Sequence, residues 1–424
     1  MNSELAKALS KEEESRVDSI VFGVIALIVL FNVHLLWITK DKILEGYGDF
    51  ASFYASALIV RDGRGRELYN YETQREIQRP LFSRVEIRED ALPYVHLAYE
   101  TLVYIPLTFF TYSKAAVLWV LINLVMIGLI SLYVPFYLPR PRISFRVFLL
   151  LCLLASFPVL VTLIQGQDSI ILLFLYSFAY IFLKRGKPAV AGAVLALGLF
   201  KFQLVLPFVG IFLLEREWRF IKGFVAASTV PIITSLYIAG MEGTLQYVRF
   251  LVRFSQSPLG QFEIEPWKMP NLRGILYAGL SVVASPKFSF IATIIGSITV
   301  VIWAIRASRS EPLEVRFSLA LLVSLAVSHY LFVYDLAIVV LPVFIMVDKM
   351  ALITTRRLGL NQATFLILCV LLLMSPSHLA MIYYGVVPSL MALPVLGLIL
   401  LTGKHHSPPV VPPQLVPLAT DDQP

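Results

Sequence analysis

Apolar runs of membrane-spanning length recur along the whole chain, separated by short polar turns and by two long polar segments. A helix needs about 20 apolar residues to cross the hydrocarbon layer, and fewer where neighbouring helices bury it. On that scale the pattern predicts crossings near 18–39, 112–137, 147–165, 169–183, 188–200, 203–215, 220–239, 287–306, 315–330, 334–347, 363–379 and 382–402. The expected architecture is an all-α polytopic membrane protein of about 12 transmembrane helices, with a range of roughly 10–13 set by the usual boundary error of a few residues. Two further apolar pieces, 99–110 and 274–284, are too short to span and read as re-entrant or interfacial helices. The runs flanking Lys201 are also short, and one broken hairpin there is an alternative to two full crossings.

The long polar segments are 40–98 and 240–273. Within the first, Phe50, Phe53, Tyr54, Ala57 and Leu58 fall at i, i+3, i+4, i+7 and i+8, which makes one apolar stripe. The stripe predicts an amphipathic helix over 50–60 that lies along the membrane surface. The chain divides into an N-terminus (1–17), a single transmembrane domain (18–402) and a Pro-rich tail (403–424) expected to be disordered. No internal repeat is strong enough to suggest an inverted-repeat transporter.

Composition agrees with the pattern. Of 424 residues, 58% are hydrophobic and 15% charged, and mean hydropathy is +0.78. Soluble domains carry about 25% charged residues, so lipid is the main solvent. The formal charge is +7 but contains no run of five like charges, which excludes a nucleic-acid footprint. Cys152 and Cys369 sit in apolar runs and offer no disulfide or metal framework. The first apolar run leads into WITKDKILEG with no small-residue cleavage site, so it reads as a retained helix and not a signal peptide.

Charge also orients the crossings. With the N-terminus inside, the cytoplasmic turns hold 19 of the 35 Lys and Arg residues, from Lys7, Lys11 and Arg16 through the 140–146, 184–187, 216–222, 306–316 and 349–357 groups to Lys404. Short cytoplasmic loops are where a Lys/Arg excess is expected. Both termini are then cytoplasmic and both long segments extracytoplasmic.

On this topology the unusual polar residues share the outer side. They are Asp49, His96, Tyr99 and Glu100 from the first long segment, and Gln165, Gln167 and Asp168 after the third crossing. Lys201 and Gln203 flank another outer turn, Asn271 and Arg273 end the second long segment, and His329, Tyr334 and Asp335 form a last group. Charge at membrane depth is costly and marks a cavity or a site. Each residue also has a plainer role. Asp49 can be a helix N-cap, His329 and Asp335 a structural pair, Lys201 a snorkelling side chain, Arg273 a loop cap, and Gln165 and Gln167 interhelical hydrogen-bonders. The acidic residues of 62–90 read as a solvated face.

The nucleotide, zinc, redox and hydrolase motifs GxxxxGK[ST], HExxH, CxxC and GxSxG are absent, as is any D-x-D for a metal-bound nucleotide sugar. No metal or other cofactor is expected. Composition and topology alone leave three readings open: an enzyme acting on lipid-linked substrates, a lipid or polysaccharide transporter, and a non-catalytic scaffold.

The segments GDFASFYASALIVRDGRGRELYN and YVHLAYETLVYIPLTFFTYSKAAVLWVLIN resemble the opening of glycosyltransferase family 87, within the GT-C superfamily. The likeness continues through QGQDSIILL, AGAVLALGLFKFQLVLPFVGIFLLEREWR, MPNLRGIL and SHYLFVYDLAIVVLPV, covering roughly residues 45–350 in order. That family includes polyprenol-phosphate-mannose-dependent α-mannosyltransferases. The resemblance implies a GT-C fold with a helical extracytoplasmic first loop over the active cavity. It implies transfer of a hexose such as mannose from a polyprenyl-phosphate sugar to a glycolipid or glycan acceptor, with inversion, in the plasma membrane (the bacterial inner membrane). Asp49 matches the family's early acidic position, the proposed base. Lys201 with Gln203 matches its K-x-Q element, and His329, Tyr334 and Asp335 its H-x-x-x-x-Y-D element. Lys201, Arg273 and His329 are the expected holders of the leaving phosphate, with His96, Tyr99, Glu100 and Gln167 as further substrate-binding candidates. The chain departs from the family at Thr101, Val327, Ser328 and Phe202, where Pro, Ser, Pro and Pro are usual.

Overall fold

Apolar blocks punctuated by Gly, Pro and Ser fold here into eighteen α-helices among the described residues, with short 3-10 turns between them and no strand. The computed structural model describes residues 2–82, 85, 91–138, 144–256, 266–280, 285–350 and 359–403, with backbone alone at 2–19, 144, 253–256 and 286. The expected tail beyond Gly403 and part of the second long segment lie outside the described residues.

Helix α1 (Asn2–Glu45) leads into α2 (Phe50–Arg61), α3 (Tyr71–Leu81) and the short α4 (Thr101–Tyr104), which build the first long segment. Then come α5 (Tyr112–Tyr133), α6 (Ser144–Ala155), α7 (Phe157–Gln165), α8 (Ser169–Lys184), α9 (Pro188–Ala196), α10 (Phe202–Leu214) and α11 (Trp218–Gln256). The chain closes with α12 (Leu272–Leu280), α13 (Pro286–Ser308), α14 (Leu313–Val327), α15 (Val340–Lys349), α16 (Leu360–Leu373), α17 (Ser375–Tyr383) and α18 (Ala392–Gly403).

The protein is an all-α membrane protein, but helix length does not establish about 12 crossings. Among the described residues four helices are long and apolar enough to span alone, or five if the bent pair α9 and the 199–214 segment counts as one. That pair turns by 69° at its break beside Lys201, the geometry of a broken span or a re-entrant loop. Other expected crossings are built from half-helices. The 147–165 run breaks at Ser156 and the 363–379 run at Met374. Each restarts with a proline in its first turn, where the missing N–H costs nothing. The two breaks meet each other: Ser156 and Met374 form an isolated antiparallel bridge. Asn32 of α1 seals them, donating to Leu154 O at 2.9 Å and accepting from Ser375 Oγ at 2.5 Å. Backbone polar groups freed by a break in an apolar medium need such partners.

The α2 helix corrects the one-stripe expectation. Phe50 to Ala57 and Ile59 are all buried, so apolar and small residues contact protein on every side. Ala51, Ser52, Ala55, Ser56 and Ala57 permit close approach of neighbouring helices. Phe53 stacks on Tyr104 at 4.9 Å and Phe50 on Trp119 at 6.0 Å. Gln74 of α3 donates to Ser56 Oγ at 3.0 Å. This interior environment holds Asp49, at the start of α2, against the rest of the molecule.

The two ends of the helices differ chemically. At one end Lys184 pairs with Glu314, and Arg316 with Glu215 and Glu217, both at 2.7 Å. At the other end lie the turns 165–169, 197–201 and 328–335. Helix α8 runs between the two sets, and its 16 residues put them about 24 Å apart. The α11 backbone departs from helical geometry at Gly240 (φ 64°, ψ −179°), then continues as helix to Gln256. The first part of the 240–273 segment is therefore helical.

Candidate functional site

Glycine decides how the site is assembled. Gly166 caps α7 in the left-handed conformation (φ 67°), and a Cβ there would stand 2.5 Å from Phe50 Cβ. Gly48 answers from the other side, since a Cβ there would stand 2.8 Å from Gln165 O. These two close approaches press the turn before α2 against the turn after α7. Trp119 Nε1 donates to Gly166 O at 2.9 Å and fixes the contact.

Across it, Gln167 Nε2 donates to Asp49 Oδ2 at 2.5 Å. Asp49 occupies the N-cap position of α2, but its side chain makes no capping bond. The capping explanation for this residue therefore fails. Burial raises the Asp49 carboxyl above its ordinary value, opposed by the Gln167 bond and by Lys201 and His96. Unlike the acids behind it, Asp49 keeps partial solvent access.

Behind Asp49 lies a sealed ionic network. His96 Nδ1 is 2.7 Å from Glu100 Oε2 and 3.0 Å from Asp168 Oδ2. One nitrogen facing two carboxylates favours a protonated imidazole. Burial pushes this imidazole down, but Glu100 and Asp168 outweigh it and raise it to about 10. Tyr94 and Tyr104 donate to the two oxygens of Glu100 at 3.1 and 3.3 Å. Burial lifts Glu100 to about 7 against the opposing pull of His96.

Lys201 Nζ lies 2.6 Å from Asp168 Oδ1 and 2.5 Å from Asp335 Oδ1, and donates to Ser169 Oγ at 2.8 Å. The contacts of Asp168 are ion pairs by distance, although their angles fall short of hydrogen-bond geometry. Exposures are 6% for His96, 1% for Glu100, 0% for Asp168 and 2% each for Lys201 and Asp335, so no substrate reaches these groups without rearrangement. Lys201 neither snorkels nor awaits an anion. Its charge is met by two carboxylates.

The remaining expected residues divide. Arg273 Nη1 contacts His329 Nε2 at 3.2 Å and donates to His329 O at 2.9 Å, with its guanidinium 5.2 Å from the Tyr330 ring. No carboxylate pairs with Arg273 among the described residues. His329 and Asp335 thus do not pair with each other. The 328–335 turn carries Arg273's partner at one end and Lys201's at the other. Tyr334 stands 5.0 Å from Lys201 Nζ by its ring. Asn271, fully buried, donates to Ser328 O at 2.8 Å and ties the α12 start to this turn.

Tyr99 is a clasp: its hydroxyl donates to Leu197 O at 2.7 Å and accepts from Phe200 N at 2.8 Å, holding the α9–α10 break. Gln203, half-buried in the first turn of α10, takes no part in the network's bonds. Asp168 and Ser169 are the members that sequence reasoning undervalued. The QGQDS run was their signal: Asp168 was placed on the outer side but given no role, and Ser169 was not singled out.

His96, Glu100 and Asp168 place one ligand atom each within 4.8 Å of one another, a spacing that a metal ion accepts. The Lys201 ammonium on Asp168 and the proton on His96 oppose a cation there.

No curated protein and no solved structure matches the chain. The comparison with protein families does find a match, to glycosyltransferase family 87 over residues 100–333. It takes in Glu100, Gln167, Asp168, Lys201, Gln203, Arg273 and His329, while Asp49, His96, Tyr99, Tyr334 and Asp335 fall outside it. The match covers more than half of an all-helical apolar chain whose polar residues converge at one end. The chain therefore belongs to glycosyltransferase family 87 and is a membrane glycosyltransferase, an enzyme that takes a sugar donor and an acceptor.

Proposed function

We propose that the protein has a GT-C-type fold and moves a hexose such as mannose from a polyprenyl-phosphate donor to a glycolipid or glycan acceptor on the outer face of the plasma membrane. Asp49 takes the proton from the acceptor hydroxyl as that oxygen attacks the anomeric carbon. The new C–O bond forms while the bond to the phosphate oxygen breaks, and its electron pair leaves on the lipid phosphate. One displacement inverts the anomeric centre.

The observation that carries this reading is the state of Asp49. It is the accessible acid of the site, it does no capping, and among the described residues no cation pairs with it directly. A raised carboxyl is a better proton acceptor than an ordinary one, and positioned general bases contribute about 10²–10⁴ in rate. Glu100, Asp168 and Asp335 are sealed and already bonded.

Phosphate binding falls to Arg273 with His329. Arg273 makes no pair with a described carboxylate, and a guanidinium suits a phosphate in a bidentate way. Lys201 supports the site by holding Asp168 and Asp335. The reaction needs no metal in this scheme, because the Arg273 guanidinium meets the leaving phosphate. A transporter that makes no bond is not favoured by membership of a transferase family.

The test is Asp49→Asn. Asp49 makes no capping bond and Asn is nearly isosteric, so fold and donor binding should persist while transfer from a radiolabelled polyprenyl-phosphate hexose falls by about 10² or more. Turnover within a few-fold of wild type would remove Asp49 from the reaction.

A further inference from the structure

Gln167 stands out as a buried amide with one half used and the other not. Its Nε2 donates to Asp49 Oδ2 at 2.5 Å, while its Oε1 is buried and meets no donor among the described residues. The side chain is 5% exposed. Its backbone is rigid: the Gln167 N–H returns to Thr162 O at 3.0 Å, beside the Gly166 N–H on the same carbonyl. Thr162 Oγ1 in turn donates to Tyr334 O at 3.2 Å. The turn is stapled by Trp119 and jammed against Phe50 through Gly166. A site side chain works best when a rigid element and a second layer of bonds hold it.

We propose that Gln167 is the positioning residue of the Asp49 base: its amide N–H holds one carboxylate oxygen, leaving the other to take the proton from the acceptor hydroxyl. This rests on the reading of Asp49 as the base. Gln167 touches no reacting atom in the scheme.

The physical consequence can be read without turnover. A hydrogen bond to a charged carboxylate favours its ionised form. Removing the donor should therefore keep Asp49 protonated to higher pH. From the strength of bonds to charged groups, the displacement should be about one to two pH units.

The experiment compares wild type, Gln167→Leu and Gln167→Glu in the full chain. An apolar carbodiimide modifies protonated carboxyls, and the extent at Asp49 is followed by peptide mass spectrometry from pH 4 to 9. Transfer from the radiolabelled polyprenyl-phosphate hexose to native lipid extract is followed over the same range. Gln167→Leu should move the labelling midpoint of Asp49 up by about one unit or more and carry the acidic limb of the activity profile with it. Gln167→Glu is isosteric, keeps a buried polar group should leucine fail to fold, and puts a second carboxyl against Asp49. It should move the midpoint up as well.

Midpoints within about 0.3 units of wild type in the variants that fold would overturn the positioning role, whatever their activity. The two readings separate cleanly. Full activity in Asp49→Asn sinks the base, whereas a dead Asp49→Asn beside an unmoved midpoint in the Gln167 variants sinks this inference alone.

Discussion

Lys201 and Asp335 lie 134 positions apart in the chain, yet their charged atoms meet at 2.5 Å in a site that water barely reaches. Asp168 completes the triad from a third segment. Removing one partner of a buried pair leaves an uncompensated charge, which costs about 3–5 kcal/mol. Lys201→Met should therefore unfold at markedly lower temperature in detergent. Adding Asp335→Asn should restore part of the loss, because one excess carboxylate is then neutralised. Additive losses in the double variant would show that the two residues do not interact. A snorkelling lysine would predict near-neutral replacement.

The network also sets a pH dependence. His96 is raised from 6.5 to about 10 on folding, so the stability it supplies is complete below about 6.5 and lost as pH rises through about 10. Glu100, raised from 4.5 to about 7, acts in the same direction over a lower range: its contribution is complete below 4.5 and is lost through about 7. The protein should be more stable near pH 5.5 than near pH 9.5. His96→Gln should remove most of the upper part of that decline, between about pH 7 and 10, as measured by melting temperature across the range. An equal slope in wild type and variant between pH 7 and 10 would contradict the assignment.

Gly166 tests the assembly of the site without touching its chemistry. Gly166→Ala places a Cβ 2.5 Å from Phe50 Cβ at a φ of 67°. Overpacking and an incompatible backbone each cost on the order of 1–3 kcal/mol. Melting temperature and transfer activity should both drop. Gly128→Ala is the control, since nothing lies within 4 Å of a Cβ there and a helical alanine is favoured over glycine by roughly 1 kcal/mol. It should leave both readouts at or above wild type. Equal behaviour of the two variants would mean that the close approach at Phe50 is not tight.

Sidedness follows from the charge pattern and has its own measurement. In a variant with Cys152 and Cys369 replaced by alanine, single cysteines at Asp62 and Lys187 occupy exposed turns. An impermeant thiol reagent on intact cells should label position 62 and leave position 187 unlabelled until the membrane is opened. The reverse result would place the site on the cytoplasmic side.

Much of this was legible in the chain itself. Apolar runs longer than a hydrocarbon layer announce helices in lipid, because no other element satisfies its own backbone there. The break at Lys201, the end of the 220–239 run at Gly240 and the gathering of Asp49, His96, Glu100, Gln167, Lys201, Arg273 and Asp335 followed from hydropathy and charge. Each is a local signal. Pairing is not local. The sequence could not say that Lys201 belongs to Asp168 and Asp335 rather than to a substrate phosphate, or that His329 faces Arg273, since those partners lie 33 to 134 positions away. Nor could a stripe of aromatics on α2 reveal that its small face is buried too, because alanine and serine sit equally well against protein, lipid or water. What tertiary structure alone decided was which charges neutralise one another. That left Asp49, released from capping and held by an amide, as a half-buried acid beside sealed ones.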